Sequence, residues 1–311
     1  MRLTHPKRNR LIVRAPAKLN LFLEVLGKRP DGFHELQTLM VSINLYDTLT
    51  FTEEESDSIE LRVSGPTAGI ELTADNDKRR PSAVPSDQTN LVVKAARLLR
   101  ERAASNRAKQ TGVRIHLTKR IPVAAGLAGG SSDAAATLLA LNHFWKTGLS
   151  EAELMELAAE LGSDISFFIP SCKAAVCRGR GEIIEPVSVR MPLHFVVVRP
   201  QTGLSTAAVF SQLKLGEPTR DITNIKNAIK HGGVNDVVQH LYNRLQPIAR
   251  QLNSDIAELQ QEITKLPIAG HLMSGSGTSC FAVCHSHRQA MCLAATLRSR
   301  LPVSVFVTQC C

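Results

Sequence analysis

The stretch Val123–Asn142, VAAGLAGGSSDAAATLLALN, decides how the rest of the chain is read. Its first half is small and rich in glycine, and its second half is a strong helix former. Ser131 or Ser132 stands where a capping hydroxyl belongs, which puts Asp133 in the first turn. Glycines ahead of a helix start let the backbone come close to a ligand, and the unpaired N–H groups and helix dipole favour an anion there. The strand-like GVRIHLTKRI (112–121) runs directly into this stretch, giving the order strand, glycine loop, helix. The expectation is a phosphate cradle.

The better-known cradles do not fit. No lysine follows the glycines as in G-x-x-x-x-G-K-[ST], and the dinucleotide fingerprint G-x-G-x-x-G is absent. Nor does the chain contain a G-x-S-x-G elbow or an H-E-x-x-H helix.

Composition narrows the partners. With 311 residues, 43% of them hydrophobic, the chain has room for one large domain or two ordinary ones. No run approaches the ~18 apolar residues of a membrane span, and the basic opening MRLTHPKRNR lacks the apolar core of a secretory signal. The expected address is the cytoplasm. A net charge of +9 suits nucleic acid or an anionic small molecule. Aromatic residues make up only 4% of the chain, leaving few stacking platforms for single strands. A polyphosphate substrate fits at least as well as nucleic acid; the expectation is no nucleic-acid or membrane partner, and a monomer or weak homodimer. The seven cysteines are odd in number and form no C-x-x-C pair, so reduced thiols packed as small apolar groups are expected. The terminal Cys310 and Cys311 are expected to be exposed.

Around the loop, LIVRAPAKLNLFLEVLG reads as one or two strands broken near Pro16, followed by turn chemistry at Pro30-Asp31-Gly32. LQTLMVSINLYDTLTF and SIELRVSG read as strands, 66–88 as a long polar loop, and 89–104 as a capped amphipathic helix. LSEAELMELAAELG carries a capping box from Ser150 to Glu153. After LHFVVVRP come helical segments over about 205–265, then strands IAGHLM and TSCFAVC, a helix near 286–300 and a last strand VSVFVTQ. This succession suggests a second α+β lobe.

PVAAGLAGGSSDAAA (122–136) resembles the phosphate-binding motif of the GHMP kinases, the superfamily of galactose, homoserine, mevalonate and phosphomevalonate kinases. SGSGTSCFAV (274–283) is similar to its third, glycine-rich motif. APAKLNLFLEVLGKRPDGFHEL (15–36) is similar to the first motif of the branch whose acceptor is a CDP-linked methylerythritol. The resemblance implies an α+β, two-lobe GHMP kinase fold. Residues 1–190 would form a lobe like domain 2 of ribosomal protein S5, and residues 191–311 an α/β-plait lobe.

It further implies transfer of the γ-phosphoryl group of ATP, with Mg²⁺ accompanying the nucleotide, to the acceptor's 2-hydroxyl in non-mevalonate isoprenoid precursor biosynthesis. Lys18 and Asp164 match the catalytic pair. The ATP loop would comprise Pro122, Val123, Ala124, Ala125, Gly126, Leu127, Ala128, Gly129, Gly130, Ser131 and Ser132. Asn20, two residues beyond Lys18 and on the same strand face, is expected at the substrate. Phe33 and His34 match the pair that recognises cytosine, with Phe33 where tyrosine is usual; stacking needs only the ring. Phe210 matches the ring on the base's other side, with Thr206 nearby. No residue is assigned to the metal. The alternatives are another small-molecule kinase of the superfamily, of homoserine or mevalonate type, and a non-catalytic nucleotide- or nucleic-acid-binding module.

Overall fold

The computed structural model describes residues 1–7, 9–68, 84–103, 111–214, 216 and 219–310. Most of the polar stretch read as a loop over 66–88 lies outside these residues, as do position 104 at the end of the expected first helix and Cys311.

Two long antiparallel strands, β2 (Arg10–Lys28) and β3 (His34–Glu54), form the spine of an eight-stranded sheet. β1 (Arg2–Lys7) pairs with the first part of β2, adding a strand that the sequence pattern did not announce. The end of β3 pairs with β5 (Gly112–Thr118), which carries β4 (Ile59–Ser64) in parallel. The beginning of β3 pairs with β6 (Ala174–Gly179) and through it β7 (Ile183–Val187), both also unread in the sequence.

The expected break at Pro16 does not occur. β2 continues through it, and the register moves from Pro16 opposite Tyr46 to Ala17 opposite Ile43. Proline cannot donate to a ladder, and a bulge absorbs that loss without ending the strand.

Helices α1 (Leu91–Arg102), α2 (Gly129–Phe144) and α3 (Glu151–Leu161) cover one part of this sheet. Trp145, Phe51 and Phe167 are the largest side chains sealed in that layer. Asn90 caps α1, and the Ser150–Glu153 capping box opens α3 as read from the sequence. A 3₁₀ turn, Ser163–Phe168, follows α3 and packs against α2.

A second, antiparallel sheet has the order β10 (Gly270–Met273), β11 (Cys280–Cys284), β8 (His194–Arg199), β12 (Ser304–Gln309). Helices α4 (Thr206–Ser211), α5 (Thr223–His231), α6 (Val234–Gln239), α7 (Gln246–Leu252), α8 (Ser254–Thr264) and α9 (His287–Arg300) accompany it. Strand side chains alternate between faces. Phe195 and Val197 of β8 accordingly join Leu19, Leu21 and Val41 of the large sheet, while Val196 and Val198 join α8 and α9. That double burial explains the uninterrupted apolar run FVVV. A two-residue strand, β9 (Tyr242–Asn243), reaches back to pair with β2.

Cys177, Cys280 and Cys284 are buried as expected for small apolar groups. Cys310 is buried as well, against the expectation of exposure, because its backbone bridges Ile43 at the seam between the sheets.

Candidate active site

A cleft of about 1310 Å³ gathers residues from both sheets around the glycine loop. The loop leaves β5, crosses the seam and enters α2. Gly126 has φ +72°, and a Cβ there would lie 2.2 Å from the Ser274 carbonyl oxygen, so glycine is required twice over. Ala124 and Ala128 also occupy the left-handed region, at φ 51° and 54°. Each alanine costs about 1–2 kcal/mol there, and such strain persists where the surroundings hold it.

The second lobe supplies much of that support. Ser274 Oγ donates to the Gly126 carbonyl at 2.9 Å, and the Ser279 N–H donates to that of Ala125 at 3.3 Å. Arg199, at the end of β8, donates to the Val123 carbonyl at 3.0 Å. On the other side, the Lys18 N–H donates to the Leu127 carbonyl at 3.1 Å.

The helix begins earlier than its sequence suggests. Ala128 is the N-cap and offers no side-chain hydrogen bond, so neither Ser131 nor Ser132 caps α2. The leading amides of Gly129, Gly130 and Ser131 are thus left for a ligand. Of the eleven residues expected around ATP, Leu127 and Ser132 do not line the cleft: both are fully buried, turned into the protein. A glycine-rich pattern announces close approach but not which side chains face inward.

Lys18 and Asp164 meet as expected. Lys18 Nζ lies 3.7 Å from Asp164 Oδ2, the lysine side chain 4% exposed and the aspartate 38%. The buried cation is therefore fixed while the carboxylate stays reachable. Lys18 Nζ also donates to Asn20 Oδ1 at 2.5 Å, and Asn20 Nδ2 donates to Thr38 Oγ1 at 2.9 Å. Gly275 closes over this pair; a Cβ there would come within 3.3 Å of Lys18 Nζ.

Farther along the cleft, the His34 and Phe210 rings sit 4.9 Å apart. Burial and the nearby Lys28 charge lower the His34 pKa, favouring the neutral imidazole that can both donate and accept. Phe33 is half exposed, with the Arg180 guanidinium 4.9 Å from its ring centroid. Thr206 shares a hydrogen bond of 2.8 Å with Ser276.

Sequence reasoning missed the charges behind the loop. Asp133 is a buried partner of Lys119, 2.8 Å from its Nζ, rather than a first-turn anion at the surface. Asp47 of β3 holds the same ammonium. Burial pushes the Asp133 carboxyl up to about 7, Lys119 opposing and Asp47 adding to the rise. Burial also works against the Lys119 ammonium, but the charges of Asp133 and Asp47 outweigh it and raise its pKa.

For magnesium, the cleft's two carboxylates are already engaged, Asp133 with Lys119 and Asp164 with Lys18. Among the described residues no group of three or more His, Cys, Asp or Glu converges. This donor set does not make a protein-built magnesium site.

Residues 90–171 match the model for the GHMP kinases N terminal domain, and residues 213–301 that for the GHMP kinases C terminal domain. A 4-diphosphocytidyl-2-C-methyl-D-erythritol kinase from Pelotomaculum thermopropionicum is 42% identical over 95% of this chain and 96% of its own length. A crystal structure of 4-(cytidine 5'-diphospho)-2C-methyl-D-erythritol kinase superposes with a TM-score of 0.76 at 31% identity, covering 96% of this chain and 99% of that one. The homoserine kinase of Cytophaga hutchinsonii, at 15% identity and a TM-score of 0.70 over 99% of this chain and 96% of its own, shares the fold. The α+β architecture described above is the two-lobe GHMP kinase fold. With the glycine loop, the Lys18–Asp164 pair and this similarity over nearly its whole length, the chain belongs to the 4-diphosphocytidyl-2-C-methyl-D-erythritol kinase family of the GHMP kinases.

Proposed function

We propose that this chain transfers the γ-phosphoryl group of ATP to the 2-hydroxyl of 4-diphosphocytidyl-2-C-methyl-D-erythritol, giving its 2-phosphate and ADP in non-mevalonate isoprenoid precursor biosynthesis. The observation that carries the reading is the Lys18–Asp164 pair, set in the same cleft as the glycine loop and the His34–Phe210 wall.

Phosphoryl transfer depends on positioning and on stabilising charge. The loop amides receive the phosphates of ATP, magnesium entering as the nucleotide's counterion. Asp164 orients the acceptor hydroxyl and receives its proton as the oxygen bonds to the γ-phosphorus and the bond to the departing ADP oxygen breaks. Lys18 stands 3.7 Å from the carboxylate and offsets charge building on the oxygen. Asn20 holds Lys18 and faces the acceptor. Phe33 and Phe210 take the cytosine faces, His34 reads its polar edge and Thr206 lies beside it. Homoserine and mevalonate have no ring to occupy that wall, which favours the CDP-linked acceptor over theirs.

The lobes divide near residue 190, between β7 and β8; this division is supported by the two separate sheets, β9 being, among the described residues, the strand that crosses back. A monomer or weak homodimer working in the cytoplasm, without nucleic acid or membrane, completes the reading. Among the described residues no helix is long and apolar enough to cross a membrane.

The test is ADP release by the purified protein supplied with ATP, magnesium and the CDP-linked acceptor, with homoserine and mevalonate as controls. Turnover is expected with the first acceptor alone. Turnover with either control, or with none of the three, overturns the assignment.

A further inference from the structure

Lys119, Asp47 and Asp133 form a sealed cluster on the rear side of the glycine loop. Their side chains are 4%, 0% and 2% exposed. The cluster joins three elements: Asp47 belongs to β3, Lys119 follows the end of β5, and Asp133 lies in the second turn of α2. Asp47 Oδ1 accepts from the N–H groups of Arg120 at 2.5 Å and Ile121 at 2.9 Å, which fixes the loop's entry. Asp133 fixes its exit. The ammonium between them sits directly behind Gly129, where a Cβ would lie 3.3 Å from Nζ. Lys119 and Asp133 both border the cleft on which the loop amides open. A cation therefore does stand under this phosphate loop, delivered from the preceding strand instead of from the loop's own helix.

The cluster holds two carboxylates for one ammonium, so its charge is −1 when all three are ionised. That sign is wrong beside a triphosphate. The two carboxylates are not equivalent. Asp47 has two backbone N–H donors in addition to Lys119, whereas Asp133 Oδ1 is buried with no hydrogen-bond partner. A proton bound by the cluster therefore belongs on Asp133. The charges acting on Asp133, among the described residues, are those of Lys119 and Asp47. On the other elements packed against α2, Lys18 of β2 and Asp164 of the 3₁₀ turn are engaged with each other. The Asp133 carboxyl, pushed up to about 7 by burial, is poised to change state when an anion arrives.

We propose that Lys119 is a positioning residue for ATP: it ties the two ends of the phosphate loop together from behind, and the surplus carboxylate of Asp133 takes up one proton from solvent when a triphosphate settles on the loop. This rests on the kinase reading above.

The test is titration calorimetry of the whole chain with the β,γ-imido analogue of ATP and magnesium, in two buffers of different ionisation enthalpy. At about pH 8 wild type is expected to take up close to one proton per analogue bound, and at about pH 5 close to none. Asp133→Asn is expected to abolish the uptake and to tighten binding by up to about tenfold at about pH 8, with no tightening at about pH 5. Lys119→Met is expected to raise KM for ATP about tenfold and leave KM for the acceptor within about twofold. The Asp133→Asn measurement stands without the Lys119 variant should that one fail to fold, since asparagine keeps the shape. Binding without proton uptake by wild type overturns the proposal, as does Asp133→Asn weakening the analogue at both pH values. Either result leaves the kinase reading intact, whereas analogue binding with proton uptake but no turnover of the CDP-linked acceptor would overturn that reading and keep this one.

Discussion

Two lysine–aspartate groupings border one cleft and differ in how water reaches them. Lys18 is buried beside a single carboxylate, Asp164, which is 38% exposed; Lys119 is buried between two carboxylates that are almost wholly sealed. A charge pair with one member in solvent contributes little to stability, and its open member can accept a substrate proton. A sealed group of charges has the opposite character: its members depend on one another, and almost no side-chain surface is left for a substrate atom to touch. In the proposed mechanism the same residue types do chemistry in one place and hold a backbone in the other, with solvent access as the deciding variable.

The strongest way to break this contrast is Asp164→Asn. Turnover is expected to fall about 10²–10⁴-fold, while calorimetric binding of an ATP analogue and the thermal midpoint stay near wild type. A rate close to wild type would remove Asp164 from the proton transfer. Asp47→Ala should do the reverse, costing about 2–5 kcal/mol of stability because the N–H groups of Arg120 and Ile121 lose their acceptor and Lys119 loses one of its two partners. Urea unfolding measures this, and a loss below about 1 kcal/mol would mean that the cluster is not sealed. Phe33→Ala touches neither lysine. It should raise KM for the acceptor about tenfold, the scale of one base–aromatic stack, with KM for ATP unmoved; equal changes in both would argue against stacking. Salt gives the smallest effect. In about 1 M salt the Debye length shrinks to about 3 Å, yet the gap in thermal midpoint between wild type and Asp47→Ala should stay within about 1 °C, because screening ions do not enter a sealed site.

The open pair was legible in the sequence and the sealed cluster was not, for a physical reason. Lys18 and Asp164 stand in stretches that resemble family motifs, and that resemblance singled them out; Asn20 follows Lys18 by the two-residue period of a strand. Asp47 lies 72 residues from Lys119, joined to it only because β3 and β5 pair. Nothing in YDTLT marks its aspartate as different from a surface one. Asp133 was visible, but a helix-start pattern leads to the surface, and only the packing of α2 on the sheet turns it inward. The glycine loop does approach other backbone closely, at Ser274, yet Ala128 became the cap in a conformation that alanine's intrinsic preferences oppose. Second-lobe hydrogen bonds hold Val123, Ala125 and Gly126, and Lys18 holds Leu127, so the chain reaches Ala128 already fixed. Likewise Pro16 looked like a terminator, and the bulge that rescues it depends on the partner strand. Local chemistry was readable; whatever depended on the opposite wall was not.

The Ser274 hydroxyl is a clasp between distant parts of the chain. It donates to Gly126 and accepts from the Asn20 N–H, bringing together chain segments 148 and 254 residues away. Loop closures of that span are made late, after local helices and hairpins have formed. During refolding from denaturant, recovery of nucleotide binding should therefore lag behind the return of far-ultraviolet ellipticity. A nascent chain still lacking its final forty residues would carry most of its secondary structure but an unfinished phosphate grip.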